Sequence, residues 1–289
     1  MKNKNILITG GAGFIGSNLC ERLVKDNNVF SFDNYSTGSK ENHIDGVIYY
    51  EGDTAHNTLD YIYGNSIDLV YHLGEYSRVE QSFDDYKKCF ESNLNGTRNV
   101  LEYVKKHGIK LVYAGSSTKF TDDDKNYIQS PYAWSKKTNT ELVQKYGEWF
   151  GLNYAITYFY NVYGNREIET GNYATLIAKY KAAMRQGIPL TVVEPGLQRR
   201  NFTHIEDTID ALVLIGEHGS GDEYGIGSPT SFTVREVAEL FGGEIAMLPP
   251  RKGNRISAQV ITSKTRALGW EPKHNLFDYI EQLKRNEWK

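Results

Sequence analysis

Residues 5–19, NILITGGAGFIGSNL, constrain the fold more than any other part of the chain. They place Gly10, Gly11, Gly13 and Gly16 directly after an apolar run typical of a buried strand and at the head of a helical pattern. Glycines at this spacing allow a tight strand-to-helix turn and a close backbone approach to a pyrophosphate, which the free N–H groups of the helix then bind. The segment therefore predicts the first strand and helix of a dinucleotide-binding domain.

Short β-like runs alternate with helical patterns through the first 160 residues. The predicted strands are NILIT, VFSFD, VIYYE, DLVYHL, KLVYAG and YAITYFY, and the main predicted helices span 17–26, 84–107 and 132–150. This alternation predicts an α/β fold with a Rossmann-type doubly wound parallel sheet.

Beyond Asn161 predicted strands and helices no longer alternate regularly. A helix over 172–186, a strand LTVVE and a helix over 206–218 predict a smaller mixed α/β lobe. We expect residues 1–163 to form the dinucleotide-binding domain, with 203–225 returning to it, and residues 164–202 and 226–289 to form the smaller lobe.

Composition excludes several classes of protein. The 289 residues are 39% hydrophobic and 24% charged with a net charge of −3, which gives no reason to expect nucleic acid or an anionic membrane as a partner. No apolar run approaches a membrane span, and the chain enters a strand without a signal-peptide pattern. The two cysteines, Cys20 and Cys89, lack a metal-like spacing, so we expect no metal site and a reduced cytoplasmic protein without disulfides.

Asp33 ends the second predicted strand, where a carboxylate accepts hydrogen bonds from both ribose hydroxyls of a dinucleotide. The same charge repels a 2′-phosphate, and Asn34 with Tyr35 supplies no arginine to attract one. The sequence therefore predicts NAD rather than NADP. Asp53, after the third strand, either contacts the adenine or is an ordinary turn residue.

Tyr132 and Lys136, in PYAWSKK, stand one helical turn apart just after a proline. Side chains four residues apart share a helix face, so the ammonium can act on the phenol. A free phenol titrates near about pH 10 and is a poor base at neutral pH, but a nearby cation stabilises the phenolate. The pair is therefore either a surface coincidence or an acid–base centre.

A series of motifs along the chain resembles one family. ITGGAGFIG, DNYSTG, GD, YHLGEYSRVEQS, NLNGTRNVLE, GSS, SPYAWSK, YNVYG and QRRNFTHIED occur in the order seen in extended short-chain dehydrogenase/reductases. Within these, the chain resembles the NAD-dependent nucleotide-sugar epimerase/dehydratase family, in particular its UDP-glucose 4-epimerase-like branch.

The resemblance implies roles for individual residues. Tyr132 is expected to be the catalytic acid–base, Lys136 its helper, and Ser116 the hydroxyl that binds the sugar hydroxyl being oxidised. The cofactor-binding residues it implies are Gly10, Gly13, Phe14, Ile15, Gly16, Asp33, Asn34, Ser36, Thr37, Gly38, Asp53, Thr54, Leu73, Gly74, Asn93, Tyr132 and Lys136.

The residues after Ser116 indicate the reaction. Related dehydratases and decarboxylases place carboxylates there, whereas this chain has Ser117 and Thr118. The resemblance therefore implies a nucleotide-sugar 4-epimerase that oxidises C4 transiently. The alternatives are a nucleotide-sugar 4-dehydrogenase or a decarboxylase-type relative and, outside enzymes, a dinucleotide-binding regulatory protein.

The substrate expected from the resemblance is a nucleoside-diphosphate sugar, most readily a UDP-sugar, and its implied binding residues are Ser77, Arg78, Ser116, Ser117, Asn161, Arg200 and Arg251. Glu75 stands where relatives commonly have alanine, and it either acts on the substrate or has an inert hydrogen-bonding role. Arg251 is either a phosphate ligand or a surface charge.

A homodimer is also expected, because the helices over 84–107 and 132–150 correspond to the pair that forms a four-helix interface in related enzymes. Apolar positions such as Phe90, Leu94, Leu142 and Phe150 face either that partner or the sheet.

Overall fold

The computed structural model describes residues 1–56, 59, 66–120, 130–250 and 259–288. Its strands are β1 (Asn5–Thr9), β2 (Asn28–Asp33), β3 (Ile48–Glu51), β4 (Leu69–His72), β5 (Lys110–Ala114), β6 (Tyr154–Phe159), β7 (Val162–Tyr163), β8 (Leu190–Val193), β9 (Arg199–Asn201), β10 (Thr203–His204), β11 (Gly221–Ile226), β12 (Ser231–Thr233) and β13 (Ile245–Leu248). Its α-helices are α1 (Phe14–Leu23), α2 (Tyr86–Phe90), α3 (Gly96–His107), α4 (Pro131–Phe150), α5 (Leu176–Gln186), α6 (Ile205–His218), α7 (Val234–Phe241), α8 (Ser263–Arg266) and α9 (Leu276–Arg285).

A parallel sheet of seven strands has the spatial order β11-β6-β5-β4-β1-β2-β3. The chain runs outward from β1 to β3 and then returns to the other side of β1 with β4. The strand order therefore reverses between β1 and β4, which is where open parallel sheets bind ligands at their carboxyl edge. The predicted doubly wound Rossmann-type sheet is confirmed.

Both faces of the sheet are covered, which explains why its central strands are apolar runs and do not alternate with polar residues. Ile6 and Ile8 of β1 pack on one face in a core that includes residues of α1 and α6. Leu7 of β1 and Leu111 of β5 pack on the other face in a core that includes residues of α3 and α4. Because alternate side chains enter different cores, one polar substitution in β1 would disturb only one of them.

The helix bounds differ from the predicted ones where turns and caps decide them. The first helix was predicted over 17–26 but spans Phe14–Leu23, because Gly13 serves as its N-cap and the helical pattern begins inside the glycine motif. The helix predicted over 172–186 begins only at Leu176, where the Thr175 hydroxyl accepts the Ala178 N–H at 3.3 Å. Thr175 is a β-region N-cap, so the residues before it lie outside the helix.

The helix predicted over 84–107 contains an interruption. It is divided into α2, a π-helical turn over Glu91–Asn95, and α3. The wider turn changes which residues face inward, and it buries the Asn93 side chain completely. Sequence periodicity shows only one long amphipathic segment here and therefore missed the turn.

A third core lies outside the sheet and includes residues of α5, α7, α9 and β8. The short strand β8 pairs in parallel with β13 in this region. By contrast, α6 contributes to the core on one face of the main sheet, and β11 extends that sheet beyond β6. In the described part of the chain, no helix combines the length and apolar character needed to cross a lipid bilayer.

Trp270 connects the C-terminal segment to α6. Its side chain is 2% exposed, and its indole N–H donates to the Asp207 carbonyl oxygen at 2.8 Å. We expect Trp270→Ala to lower the free energy of unfolding by about 3–5 kcal/mol, because it removes a large buried side chain and leaves a cavity. Thermal unfolding followed by circular dichroism measures the loss, with Phe277→Ala as the control because Phe277 is 52% exposed. Equal effects of the two substitutions would show that burial of the Trp270 side chain is not what stabilises this segment.

Candidate active site

A cleft of about 560 Å³ opens at the carboxyl edge of the sheet. It is lined by the loops that follow β1, β2, β4 and β5, by the first turns of α1 and α4, and by residues at the start of α5. Most of the predicted site residues meet here, namely Gly10, Gly13, Phe14, Ile15, Gly16, Asp33, Asn34, Ser36, Thr37, Asp53, Thr54, Leu73, Gly74, Ser77, Arg78, Ser116, Ser117, Tyr132, Lys136 and Asn161.

The glycine turn fits a pyrophosphate. Gly10 has φ +74°, and a Cβ on it would lie 2.8 Å from the Gly74 Cα. A Cβ on Gly16 would overlap the carbonyl oxygen of Gly10, so α1 can approach the turn this closely only with glycine there. The helix begins at Phe14 without a side-chain cap, so its first N–H groups point toward the cleft as donors for an anion.

Asp33 ends β2 at the cleft wall and is 7% exposed. One carboxylate oxygen accepts the Ala12 N–H at 2.9 Å and the other accepts the Tyr35 N–H at 2.8 Å. Burial raises the pKa of Asp33 above its usual value, while the two N–H donors oppose that shift. The two backbone bonds fix the carboxylate while leaving it lone pairs for ribose hydroxyls.

Tyr132 reaches the cleft because α4 begins just before it. Ser130 is the N-cap, and its hydroxyl accepts the Ala133 N–H at 3.1 Å, while Pro131 occupies the first helical turn. The Tyr132 hydroxyl lies 3.4 Å from the Ser116 Oγ, at the end of β5. The structure thus brings together two hydroxyls that can share one proton with a bound carbinol.

Lys136 lies one turn further along α4, and its side chain is 4% exposed. Its ammonium donates to the Glu75 carboxylate and to the Ala114 carbonyl oxygen. It also stands over the Tyr113 ring, 4.5 Å from the ring centroid. Lys136 is therefore at the cleft as predicted, but it is held there by a carboxylate.

Glu75 accepts hydrogen bonds on both oxygens. Oε2 faces Lys136, while Oε1 accepts from the Thr97 hydroxyl at 2.8 Å, the Asn139 amide at 2.9 Å and the Tyr113 hydroxyl at 3.1 Å. The Glu75 side chain is only 3% exposed. The carboxylate therefore joins the loop after β4 to α3, β5 and α4.

A second series of hydrogen bonds supports the loop after β4. The Gly74 N–H donates to the Thr9 hydroxyl at 3.1 Å, Thr9 is 2.7 Å from the His72 Nδ1, and the His72 Nε2 is 3.1 Å from the Thr97 hydroxyl. Burial lowers the pKa of His72 to about 4, so the ring is neutral at physiological pH. His72 is thus a neutral relay of hydrogen bonds beneath the site.

Asn93 supports the site from outside the cleft. Its side-chain oxygen accepts the Tyr76 N–H at 2.7 Å, and its amide donates to the Ser135 hydroxyl at 2.9 Å. The π-helical turn aims this side chain at the loop after Glu75. Asn93, which was predicted to bind the cofactor, therefore lies behind the cleft wall and fixes the loop after β4.

Two further predicted residues, Gly38 and Arg200, are not among the described residues that line the cleft. Gly38 lies against the backbone of Ala12, where a Cβ would come within 3.0 Å. Arg200 lies in β9, and its guanidinium donates to the Arg199 carbonyl oxygen at 2.8 Å. Arg251 lies outside the described residues.

Sequence reasoning missed the apolar part of the cleft wall. This part includes Ile168, Ala174, Leu176, Ile177 and Phe202. Apolar residues of this kind occur throughout the chain, so no signal distinguishes those that face a cleft. Asn139 was also missed, although it lies one turn after Lys136 on α4 and so shares its face.

The chain matches the model of the NAD dependent epimerase/dehydratase family over residues 6–227. It is 28% identical to a putative UDP-glucose 4-epimerase of Methanocaldococcus jannaschii, over 96% of each chain. It is 30% identical to UDP-glucuronic acid decarboxylase 3 of Arabidopsis thaliana, over 95% of this chain and 86% of the relative.

Solved structures agree with this assignment. The fold matches that of UDP-glucose 4-epimerase of Thermus thermophilus in its complex with NAD, with a TM-score of 0.87, 27% identity and 98% coverage of each chain. The resemblance to UDP-glucose 4-epimerase-like enzymes and the predicted NAD cofactor are thereby confirmed. The names of the relatives include both an epimerase and a decarboxylase. The similarity therefore establishes the family and does not by itself distinguish between these two reactions.

The position of Asp33 predicts a preference for NAD over NADP. We expect Asp33→Asn to narrow that preference by about tenfold or more, because it removes the charge that repels a 2′-phosphate, and tenfold is about 1.4 kcal/mol. Calorimetry on cofactor-stripped protein measures both affinities. Asp53→Asn is the control and should leave the NAD-to-NADP ratio unchanged. An unmodified protein that binds NADP as tightly as NAD would refute the role of Asp33.

Proposed function

Because the chain belongs to the NAD-dependent epimerase/dehydratase family, we propose that it is a nucleotide-sugar 4-epimerase. It would invert C4 of a nucleoside-diphosphate hexose by oxidising that carbon transiently and reducing it again from the other face. Both half-reactions need one group that accepts and returns a proton beside the hydride carrier.

One observation carries this proposal: Ser116 and Tyr132 form a hydroxyl pair, and the residues after Ser116 add hydroxyls rather than carboxylates. Among the described residues that line the cleft, the carboxylates are Asp33, Asp53 and Glu75. Asp33 ends β2 and Asp53 follows β3, and both strands lie on the far side of β1 from Ser116. Glu75 is already bonded to Lys136, Thr97, Tyr113 and Asn139.

This arrangement supports epimerisation over elimination of water. Loss of water from the sugar requires a second proton-transfer group in addition to the one at the oxidised carbon. Among the described residues of the cleft, Tyr132 with Ser116 can serve as the proton-transfer group at the oxidised carbon. One such group is sufficient for reversible oxidation of one carbinol.

The roles of the residues follow from their positions. The glycine turn and the start of α1 would hold the pyrophosphate, and Asp33 would accept the adenosine ribose hydroxyls. NAD supplies hydride acceptance and hydride return. Tyr132 would take the proton of the sugar 4-hydroxyl and later give it back, while Ser116 would hold the same oxygen by a hydrogen bond.

For the substrate we propose a UDP-sugar. Ser77 and Arg78 lie in the loop after β4, and Asn161 lies just before β7. All three line the cleft that Tyr132 also lines. The Asn161 amide donates to the Asn201 carbonyl at 2.9 Å, which fixes its orientation. Arg200 and Arg251 remain proposed diphosphate ligands on the grounds of resemblance alone.

The domain division is proposed with the predicted boundaries: 1–163 with 203–225 for NAD, and 164–202 with 226–289 for the nucleotide sugar. We also propose a cytoplasmic location, because Cys20 and Cys89 are both free, buried thiols.

A homodimer is proposed through α2 and α4. Exposed aromatic side chains lie on and next to these helices, with Trp134 near the start and Trp149 and Phe150 at the end of α4; the set is Phe83, Tyr86, Trp134, Trp149 and Phe150. Of the four positions predicted for the interface, Phe150 is 53% exposed, whereas Leu142 packs against the core beneath the sheet. An apolar surface of this kind is typical of an interface between copies of one chain.

Tyr132→Phe tests the reaction. It should lower the rate about 10²–10⁴-fold while NAD stays bound, because it removes the proton-transfer group and leaves the glycine turn intact. Ser117→Ala is the matched control and should have a mild effect. The assay follows 4-epimer formation from UDP-glucose, UDP-N-acetylglucosamine and their GDP and dTDP counterparts, with absorbance of reduced nicotinamide recorded in parallel.

Three results would change the assignment. Stoichiometric NADH with a keto product would identify a 4-dehydrogenase. Release of carbon dioxide from a UDP-hexuronic acid would identify a decarboxylase. Full turnover by Tyr132→Phe would refute the proposed mechanism.

The molecular mass of the protein in solution tests the proposed dimer. Light scattering should give twice the monomer mass for the unmodified protein and the monomer mass for Trp134→Glu, since Trp134 is 42% exposed on α4 and packs on Phe90 with ring centroids 5.3 Å apart. Phe277→Glu is the control, because Phe277 is similarly exposed on α9. A monomer mass for the unmodified protein at all concentrations would exclude the dimer.

A further inference from the structure

Glu75 is a buried carboxylate that the proposed reaction does not use. It lies in the cleft directly after Gly74, yet its side chain is 3% exposed. A carboxylate removed from water in this way must be paired with a cation and hydrogen-bonded on its other lone pairs. Lys136 supplies the cation, and Thr97, Tyr113 and Asn139 supply the remaining donors.

Glu75 is unsuited to act on substrate itself. Its Oε1 already accepts three hydrogen bonds from neutral donors, and its Oε2 faces the Lys136 ammonium. To accept a substrate proton, the carboxylate would have to give up its ion pair and leave Lys136 as an unpaired buried charge. The geometry therefore points to an effect of Glu75 on Lys136.

We propose that Glu75 is a positioning residue that fixes the Lys136 ammonium at the cleft and offsets its charge, so that the proton affinity of Tyr132 is set by a neutral Glu75–Lys136 pair and not by a lone cation. This proposal rests on the proposed role of Tyr132. It extends that role, because it names the group that limits how strongly Lys136 stabilises the phenolate.

The hydrogen bonds of Lys136 support this inference. Among the described residues, its ammonium bonds to Glu75 and to the Ala114 carbonyl oxygen, and none of its bonds goes to the Tyr132 phenol. A phenolate beside a lone ammonium is stabilised by the full charge, whereas the field of a close ion pair falls off much faster with distance. Removing the Glu75 charge should therefore make Tyr132 easier to ionise.

The described ionisable groups near Lys136 and Tyr132, apart from Glu75, include His72, Cys89, Tyr113 and Arg78. Burial lowers the pKa of His72 to about 4 and raises the pKa of Cys89 to about 11. Burial and the Glu75 charge together raise the pKa of Tyr113 well above its usual value. Among the described residues, Arg78 in the loop after β4 is a further cation near the phenol, and burial lowers its pKa. Ammonium and guanidinium groups do not absorb as tyrosinate does, so the ultraviolet signal that Tyr132→Phe removes can be assigned to the phenol.

The test is an ultraviolet difference titration of tyrosinate on the whole protein as isolated. The spectrum of each variant is compared with that of the same variant carrying Tyr132→Phe, which isolates the signal of Tyr132 from those of the other tyrosines. Glu75→Gln keeps the shape of the side chain and an amide oxygen for Thr97, Tyr113 and Asn139, but removes the charge. We expect Tyr132 to ionise about one pH unit lower in Glu75→Gln, a tenfold change in proton affinity.

Thr97→Val is the matched control. It removes one neutral donor from Glu75 without changing any charge, so a purely structural role for the network predicts similar effects of Thr97→Val and Glu75→Gln. Under the present proposal Thr97→Val leaves the Tyr132 titration in place, and only Glu75→Gln moves it.

The pH dependence of turnover gives a second measurement. If Tyr132 is the base, the acidic limb of the rate profile should move to lower pH in Glu75→Gln by the same amount. Glu75→Ala is the reserve variant if Glu75→Gln does not fold, and it should shift both measurements in the same direction. An unchanged Tyr132 titration in a folded Glu75 variant would overturn the proposal. A shifted titration without a shifted rate profile would uphold it and instead refute Tyr132 as the base.

Discussion

The close approach of β1 and β4 determines where the cleft lies. At their carboxyl ends Gly10 and Gly74 lie so near each other that a Cβ on either would come within 2.8 Å of the other's backbone. The strand order reverses at the same point, so the loops after β1 and β4 diverge and leave a cleft between them. Because Glu75 follows Gly74 directly, this contact also turns the carboxylate inward, toward the sheet edge.

The polar groups buried behind that contact hold the remaining parts of the site. Glu75 takes hydrogen bonds from α3, β5 and α4, so each of these elements has one position at which the carboxylate is satisfied. Removing one partner of such a buried pair costs about 3–5 kcal/mol. An exposed pair such as Lys2 with Asp26 contributes about 0–1 kcal/mol. The geometry of Tyr132 and Lys136 thus depends on a few buried bonds more than on the many surface ion pairs.

The sequence was sufficient for the features that depend on neighbouring residues. The glycine turn, Asp33 at the end of β2 and the Tyr132–Lys136 spacing are local patterns, and the structure places all of them at the cleft. The Glu75 network could not be predicted, because its members are far apart in the chain and only the sheet order brings them together. The π-helical turn that aims Asn93 was missed for a different reason, since one extra residue in a turn barely changes an amphipathic pattern.

The proposed reaction, in which one proton is removed and returned, would give the Glu75–Lys136 pair a physical rationale. A group that accepts a proton and returns it within one turnover works best when its two protonation states are close in free energy. A lone cation beside Tyr132 would favour the phenolate and make the return of the proton harder. In a neutral ion pair the ammonium stays at the cleft, where it can interact with a ribose or a phenol. The carboxylate cancels part of the electrostatic field of that ammonium. In a site where the forward and reverse half-reactions use the same tyrosine, moderating the cation serves both directions, whereas strengthening it would favour only one.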